Sequence, residues 1–110
     1  MGSGGINTTT NPILPNVRIV EHSWVAKLAA TKLNVRQVAM VLGNTIYLHN
    51  TSTKQFLHNE TWVKHEACHI RQFREHGYIA FLIKYLWESL LHGYHNNKYE
   101  LEAREAETLD

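Results

Sequence analysis

His65-Glu66-Ala67-Cys68-His69 joins residue type to spacing in a way that specifies a chemistry. On an α-helix, residues i and i+4 differ in direction by about 40°, so two imidazoles so placed point the same way and can close on one metal ion. Neutral imidazole suits Zn2+, and the interleaved Glu66 falls within reach of a water on that ion. Zinc brings the pKa of such a water toward neutrality, leaving Glu66 to take its proton and deliver it to a leaving group. A catalytic zinc also needs a third protein ligand and an open position. The candidates lie downstream, among the glutamates of Asn97-Lys98-Tyr99-Glu100-Leu101-Glu102-Ala103-Arg104-Glu105-Ala106-Glu107. Most of these must face solvent, and at most one or two can enter a site.

The rest of the composition narrows the setting. Eight histidines in 110 residues, with no polyhistidine run, point to metal chemistry or pH sensing. Eleven Lys and Arg against ten Asp and Glu leave a net charge of +1, without the basic excess that gripping nucleic acid requires. The lone Cys68 cannot form an internal disulfide and reads as a small core residue. Met1–Pro12 lacks the charged start and apolar centre of a signal peptide. The most apolar stretch, Tyr78–Leu91, is too short to span a membrane and carries Lys84 and Glu88. The expectation is a cytoplasmic chain without a membrane span, with export by a specialised system left open.

These residues need elements to hold them. Residues 1–16, small, polar and punctuated by Pro12 and Pro15, read as a flexible leader, and residues 17–110 as one domain. Val17–Val20 is a short strand or the lead-in to a helix with a stripe of Trp24, Val25, Leu28, Ala29 and Leu33. Val38–Leu42 and Thr45–His49 flank Gly43-Asn44 as a β-hairpin, followed by a polar connection over Asn50–Lys54. A long helix starts near Asn59 or Thr61, both good N-caps, carries the motif, and stops at Gly77. A second runs from Tyr78 to His92 and ends at Gly93, and a third covers about Asn97–Thr108. The predicted fold is α+β: a helix and a hairpin, then three helices. Trp62, Ile70, Phe73, Phe81, Leu82, Leu86, Trp87 and Leu90 are its expected core between two antiparallel helices. Gln72, seven residues after His65, shares the metal-facing side. His22, His49, His58 and His76 read as solvent-facing or structural.

Trp62–Glu107 resembles the gluzincin class of zincin metallopeptidases, which pair H-E-x-x-H with a later glutamate ligand, and its small size resembles the minigluzincins. The run His65–Gln72 with a later Glu-x-Glu-Ala is also similar to bacterial zincin-like domains of unknown function, some associated with extracellular contractile injection systems. The resemblance implies a zinc-dependent hydrolase acting on peptide bonds of a peptide or protein substrate. Zinc would be held by His65, His69 and Glu100, with Glu66 as general base. Glu100-Leu101-Glu102-Ala103 fits the family frame, with Ala103 as its small residue. Arg104 stands where an Asp is common, so Glu107 or Glu102 takes that supporting part or the site is weakened. Helical phase keeps Glu102 as the alternative ligand, beside Tyr99, Ala103 and Ala106 on the more apolar face.

The resemblance further implies that the strand Thr45–His49 lies above the metal and holds extended peptide by strand addition. The leader, Gly2–Asn16, could equally occupy that cleft. His92, Tyr94, His95 and Tyr99 are the available donors to an oxyanion. The alternative function is a catalytically weak or inactive zinc-binding module that docks on a larger protein assembly. A further rival is a metal-free helical interaction protein.

Overall fold

The computed structural model describes residues 6–8 and 11–109. Over these the chain runs β1 (Ile6–Thr8), β2 (Arg18–Val20), α1 (Trp24–Leu33), β3 (Val38–Leu42), β4 (Thr45–His49), α2 (Thr53–His58), α3 (Glu60–His76), α4 (Tyr78–His92) and α5 (Lys98–Ala106). The fold is a small α+β domain. Its sheet has the order β1-β2-β4-β3, with β2 parallel to β4 and the other pairs antiparallel.

Alternation along β3 and β4 builds two packed faces. Val38 and Met40 with Tyr47 pack against Ala26, Ala29 and Ala30 of α1. Ala39, Val41, Ile46 and Leu48 turn to the other face and join Phe56, Val63, Ile70, Phe73 and Phe81 of the helices. At the hairpin turn Gly43 adopts φ +67°, and a Cβ there would come within 2.7 Å of the Tyr78 ring. That turn is therefore closed to larger residues for two reasons at once.

Three expectations are corrected. The stripe on α1 is out of phase: Ala26 and Ala30 are buried, while Trp24 and Leu28 are exposed. The small alanines let α1 lie close on the sheet, so the larger apolar residues are displaced outward. Leu86, Trp87 and Leu90 are not core; they stand on the outer side of α4, whose single buried residue is Phe81. The polar connection after β4 contains α2, whose Ser52 and Gln55 form a reciprocal capping box. The S-x-x-Q signature for it is plain in the sequence.

The stretch read as leader takes part in the sheet where it is described. Ile6–Thr8 pairs with β2, and Leu14 is buried in the main core. Leu14 is an apolar side chain that a turn started by Asn11 carries inward. Residues 1–5, 9 and 10 lie outside the described residues. No helix among the described residues is long and apolar enough to cross a membrane.

Candidate metal centre

Two helices carry the site, and each is fixed by its first turn. Asn59 caps α3, its side chain accepting from the Trp62 amide at 3.1 Å, and the helix then runs unbroken to Gly77. Asn97 caps α5, accepting from the Tyr99 amide at 2.8 Å. The Asn97 amide nitrogen also donates to the Tyr85 carbonyl at 3.0 Å and to Ser89 Oγ at 2.9 Å. This buried residue ties the start of α5 to α4 and so sets where Glu100 arrives. Glu100 lies in the first turn of α5, where exposed amides favour a carboxylate.

His65, His69 and Glu100 meet. One ligand atom from each lies within 4.8 Å of the other two, close enough to hold a metal ion. His65 Nε2 is 3.0 Å from Glu100 Oε1, and His69 Nε2 is 3.0 Å from Glu100 Oε2. Both Nε2 atoms therefore face one carboxylate. Tetrahedral zinc with Zn–N near 2.0–2.1 Å sets neighbouring ligand atoms about 3.3 Å apart, so a small opening of this cluster would admit it.

The opposite ring nitrogens are held from behind. His65 Nδ1 lies 2.7 Å from Glu107 Oε2, and His69 Nδ1 lies 2.8 Å from Gln72 Oε1. Gln72 cannot be reversed, because its amide nitrogen faces two acceptors, the Tyr99 carbonyl and Glu102 Oε1. Its oxygen must then face His69, and His69 Nδ1 must be the donor. Neutral His69 thus presents the Nε2 lone pair to the cluster. Although Glu100 Oε2 is close, this buried Nε2 makes no aligned hydrogen bond. A buried nitrogen with a directed lone pair and no donor to fill it suits a cation.

Electrostatics couple the three residues to one another, and protons compete with a cation for the two imidazoles. Burial raises Glu100, but its close contacts with His65, His69 and Tyr85 outweigh it and hold the carboxyl far below its ordinary range. Burial pulls both imidazoles down. Contacts with Glu100, joined by Glu107 at His65 and by Glu66 and Gln72 at His69, more than reverse this and leave both above the usual histidine value. Glu66, only 4% exposed, is pushed up to about 8, chiefly by burial. A cation beside it acts in the opposite sense, favouring the carboxylate.

Each residue singled out from the sequence has a definite place. Glu102 is exposed, hydrogen-bonds Gln72 and lies outside the group of three. Glu107 occupies the supporting position on His65 that Arg104 cannot fill, while Arg104 Nη1 reaches the His95 carbonyl at 2.8 Å. Cys68 is buried with Ala103 and Ala106, and burial lifts its thiol to about 11. Among the suggested donors, Tyr94 hydrogen-bonds toward Glu100, and its hydroxyl is pushed above the usual range mainly by burial. Tyr99 packs instead on Phe81 and His76, with ring centroids 4.9 and 5.8 Å away. His92 and His95 are exposed.

Tyr85 was not anticipated. Its hydroxyl donates to Glu100 Oε2, and burial beside that carboxylate holds it protonated. Tyr85 sits four residues after Phe81, on the buried side of an apolar helix. A polar-tipped aromatic in that position was the available signal.

A cleft of about 680 Å³ opens over the cluster. Ala39, Val41, Leu82 and Leu86 line it together with His65, Glu66, His69 and Glu100. The strand beside it is β3, a sheet edge, and not Thr45–His49, which is the interior strand β4. The hairpin places Thr45–His49 between β2 and β3, so its backbone is already paired on both sides. β1 lies at the opposite edge, which keeps Ile6–Thr8 out of the cleft.

Compared with models of known protein families, with curated proteins and with solved structures, the chain gives no match.

Proposed function

We propose that the chain is a zinc-dependent metallopeptidase of gluzincin type, with zinc held by His65, His69 and Glu100. The observation that carries this reading is the pair of Nε2 atoms turned on one buried carboxylate, with both Nδ1 atoms anchored to acceptors behind them. Two nitrogens and a carboxylate oxygen make a borderline donor set that suits zinc and leaves a position open. When bound, zinc supplies Lewis acidity, polarising a carbonyl and acidifying a water.

The chain's own residues do the rest. Glu66 lines the cleft beside the ligands and serves as general base and then acid, moving a proton from water to the departing amine. Tyr85 and Tyr94, protonated and gathered at Glu100, fix that carboxylate and provide O–H groups near the reacting centre. The free edge of β3 gives an extended peptide a line of backbone partners along the cleft. The apolar side chains around it limit water near the reaction.

The test is cleavage of a denatured protein substrate by zinc-loaded wild type beside Glu66→Gln. The expected result is proteolysis by wild type and at least a hundredfold less by Glu66→Gln at equal zinc content. Equal zinc with no cleavage by either protein would contradict the enzyme and support the module that keeps metal for assembly.

A further inference from the structure

Apart from Leu86 at the rim of the cleft, the outer face of α4 takes no part in the site, and no element among the described residues covers it. Ile79, Ile83, Leu86, Trp87, Leu90 and Leu91 are each between 55% and 75% exposed. Ile79, Ile83, Leu86 and Leu90 follow spacings of four, three and four, and fall within about 60° of one another around the helix. This is the narrow seam of a helix that packs against another helix. The six residues expose on the order of 700 Å² together, above a monomer's usual largest apolar patch and close to the roughly 800 Å² per partner of a stable interface.

We infer that this face is a homodimer interface in which α4 pairs antiparallel with α4 of a second copy of this chain. The four-three-four spacing reads the same in both directions. A two-fold axis through the middle of the helix therefore sets Ile79 against the partner copy's Leu90, and Ile83 against its Leu86. That self-complementarity is what an isologous contact requires, and a foreign partner would not need it. Trp87 stands beside the seam near its centre, where aromatic anchors contribute most to binding. Lys84 and Glu88 carry opposite charges, so pairing brings together no excess of one sign. A helix lying on a membrane would instead carry several Lys or Arg along its polar flank, and α4 has Lys84 alone.

The opposite side of α4 carries Phe81 and Tyr85, so the interface and the metal cluster use different faces of the same helix and meet only at Leu86, on the rim of the cleft. The inference stands independently of whether the cleft is catalytic.

Sedimentation equilibrium of the 110-residue chain tests it, with wild type beside Ile83→Glu and Leu90→Glu. The expected result is a reversible wild-type dimer at micromolar concentration. Each variant should weaken it at least a hundredfold with unchanged circular dichroism, since both side chains are exposed. Register is read by mixing Ile79→Cys with Leu90→Cys chains under mild oxidation. Cross-links should form between the two variants and not within either alone. A wild-type monomer at 100 µM would overturn the proposal, as would a dimer indifferent to Ile83→Glu. Cross-linking of Ile79→Cys to itself would overturn the antiparallel pairing. A monomer that instead floats with vesicles of phosphatidylcholine and phosphatidylserine would assign the face to a membrane surface.

Discussion

α3 and α4 are consecutive helices of similar length, yet they use burial in opposite ways. α3 is the more polar and buries Glu66, His69 and Gln72 among its apolar residues; α4 is rich in Ile, Leu and Trp and buries only Phe81. The difference lies in partners. His69 Nδ1 and the Gln72 amide of α3 are met by an amide, a carbonyl and a carboxylate from α3 itself or α5, so their desolvation is offset, whereas at Glu66 burial dominates. The outward apolar groups of α4 have no counterpart among the described residues. Buried polarity thus marks the candidate metal centre, and exposed apolarity marks the face inferred to pair with a second copy.

The largest expected effect sharpens the contrast within α4. Phe81→Ala should lower unfolding stability by about 3–5 kcal/mol, because Phe81 is packed by Phe73, Tyr85 and Tyr99. Leu91→Ala, at the exposed margin, should change it by about 0.5 kcal/mol or less. Urea titration of the two variants checks this, and equal losses would erase the distinction between the faces.

Next comes the support behind the ligands. Gln72→Ala frees His69 Nδ1 and should weaken zinc binding about 10–100-fold, with Glu107→Ala acting similarly through His65. Competition with a chromophoric chelator measures both. Unchanged affinity would mean that the rings are oriented by something else. Acidification should also release zinc, since both imidazoles sit above the usual histidine value and protons compete for the Nε2 atoms.

A separate test concerns Glu66 in chelator. Its carboxyl titrates near 8 in the folded chain against 4.5 for an ordinary glutamate. Between those values the folded state holds a proton that the unfolded state has lost. The stabilisation is therefore full below about pH 4.5 and disappears as pH rises through about 8. Wild type should lose more stability than Glu66→Gln between pH 5.5 and 8.5, as read by thermal melting. Parallel profiles would show that Glu66 is already ionised.

Local signals carried much of this fold. Asn59, Gly77, Gly93 and Asn97 mark the helix ends they were read to mark, and Gly43-Asn44 makes the hairpin turn. The H-E-x-x-H spacing brought His65 and His69 to one side of α3, and Glu100 joins them. What escaped were features set by packing. Periodicity shows which residues share a face, but not whether another element covers that face, so Leu86, Trp87 and Leu90 were assigned to a core they do not enter. Tyr85 was hidden for the same reason, because its role exists only once Asn97 has drawn α5 against α4. Strand order was equally remote from the sequence: the parallel pairing of β2 with β4 is what leaves β3, rather than Thr45–His49, at the open edge.

The central claim is that His65, His69 and Glu100 form one metal centre. Metal content by mass spectrometry, on protein reconstituted with zinc and dialysed, tests it most directly for wild type, His69→Ala, Glu100→Ala and Glu102→Ala. The account predicts one zinc per chain in wild type and Glu102→Ala, and loss in the other two. Zinc retained by Glu100→Ala, or no zinc in reconstituted wild type, would contradict it.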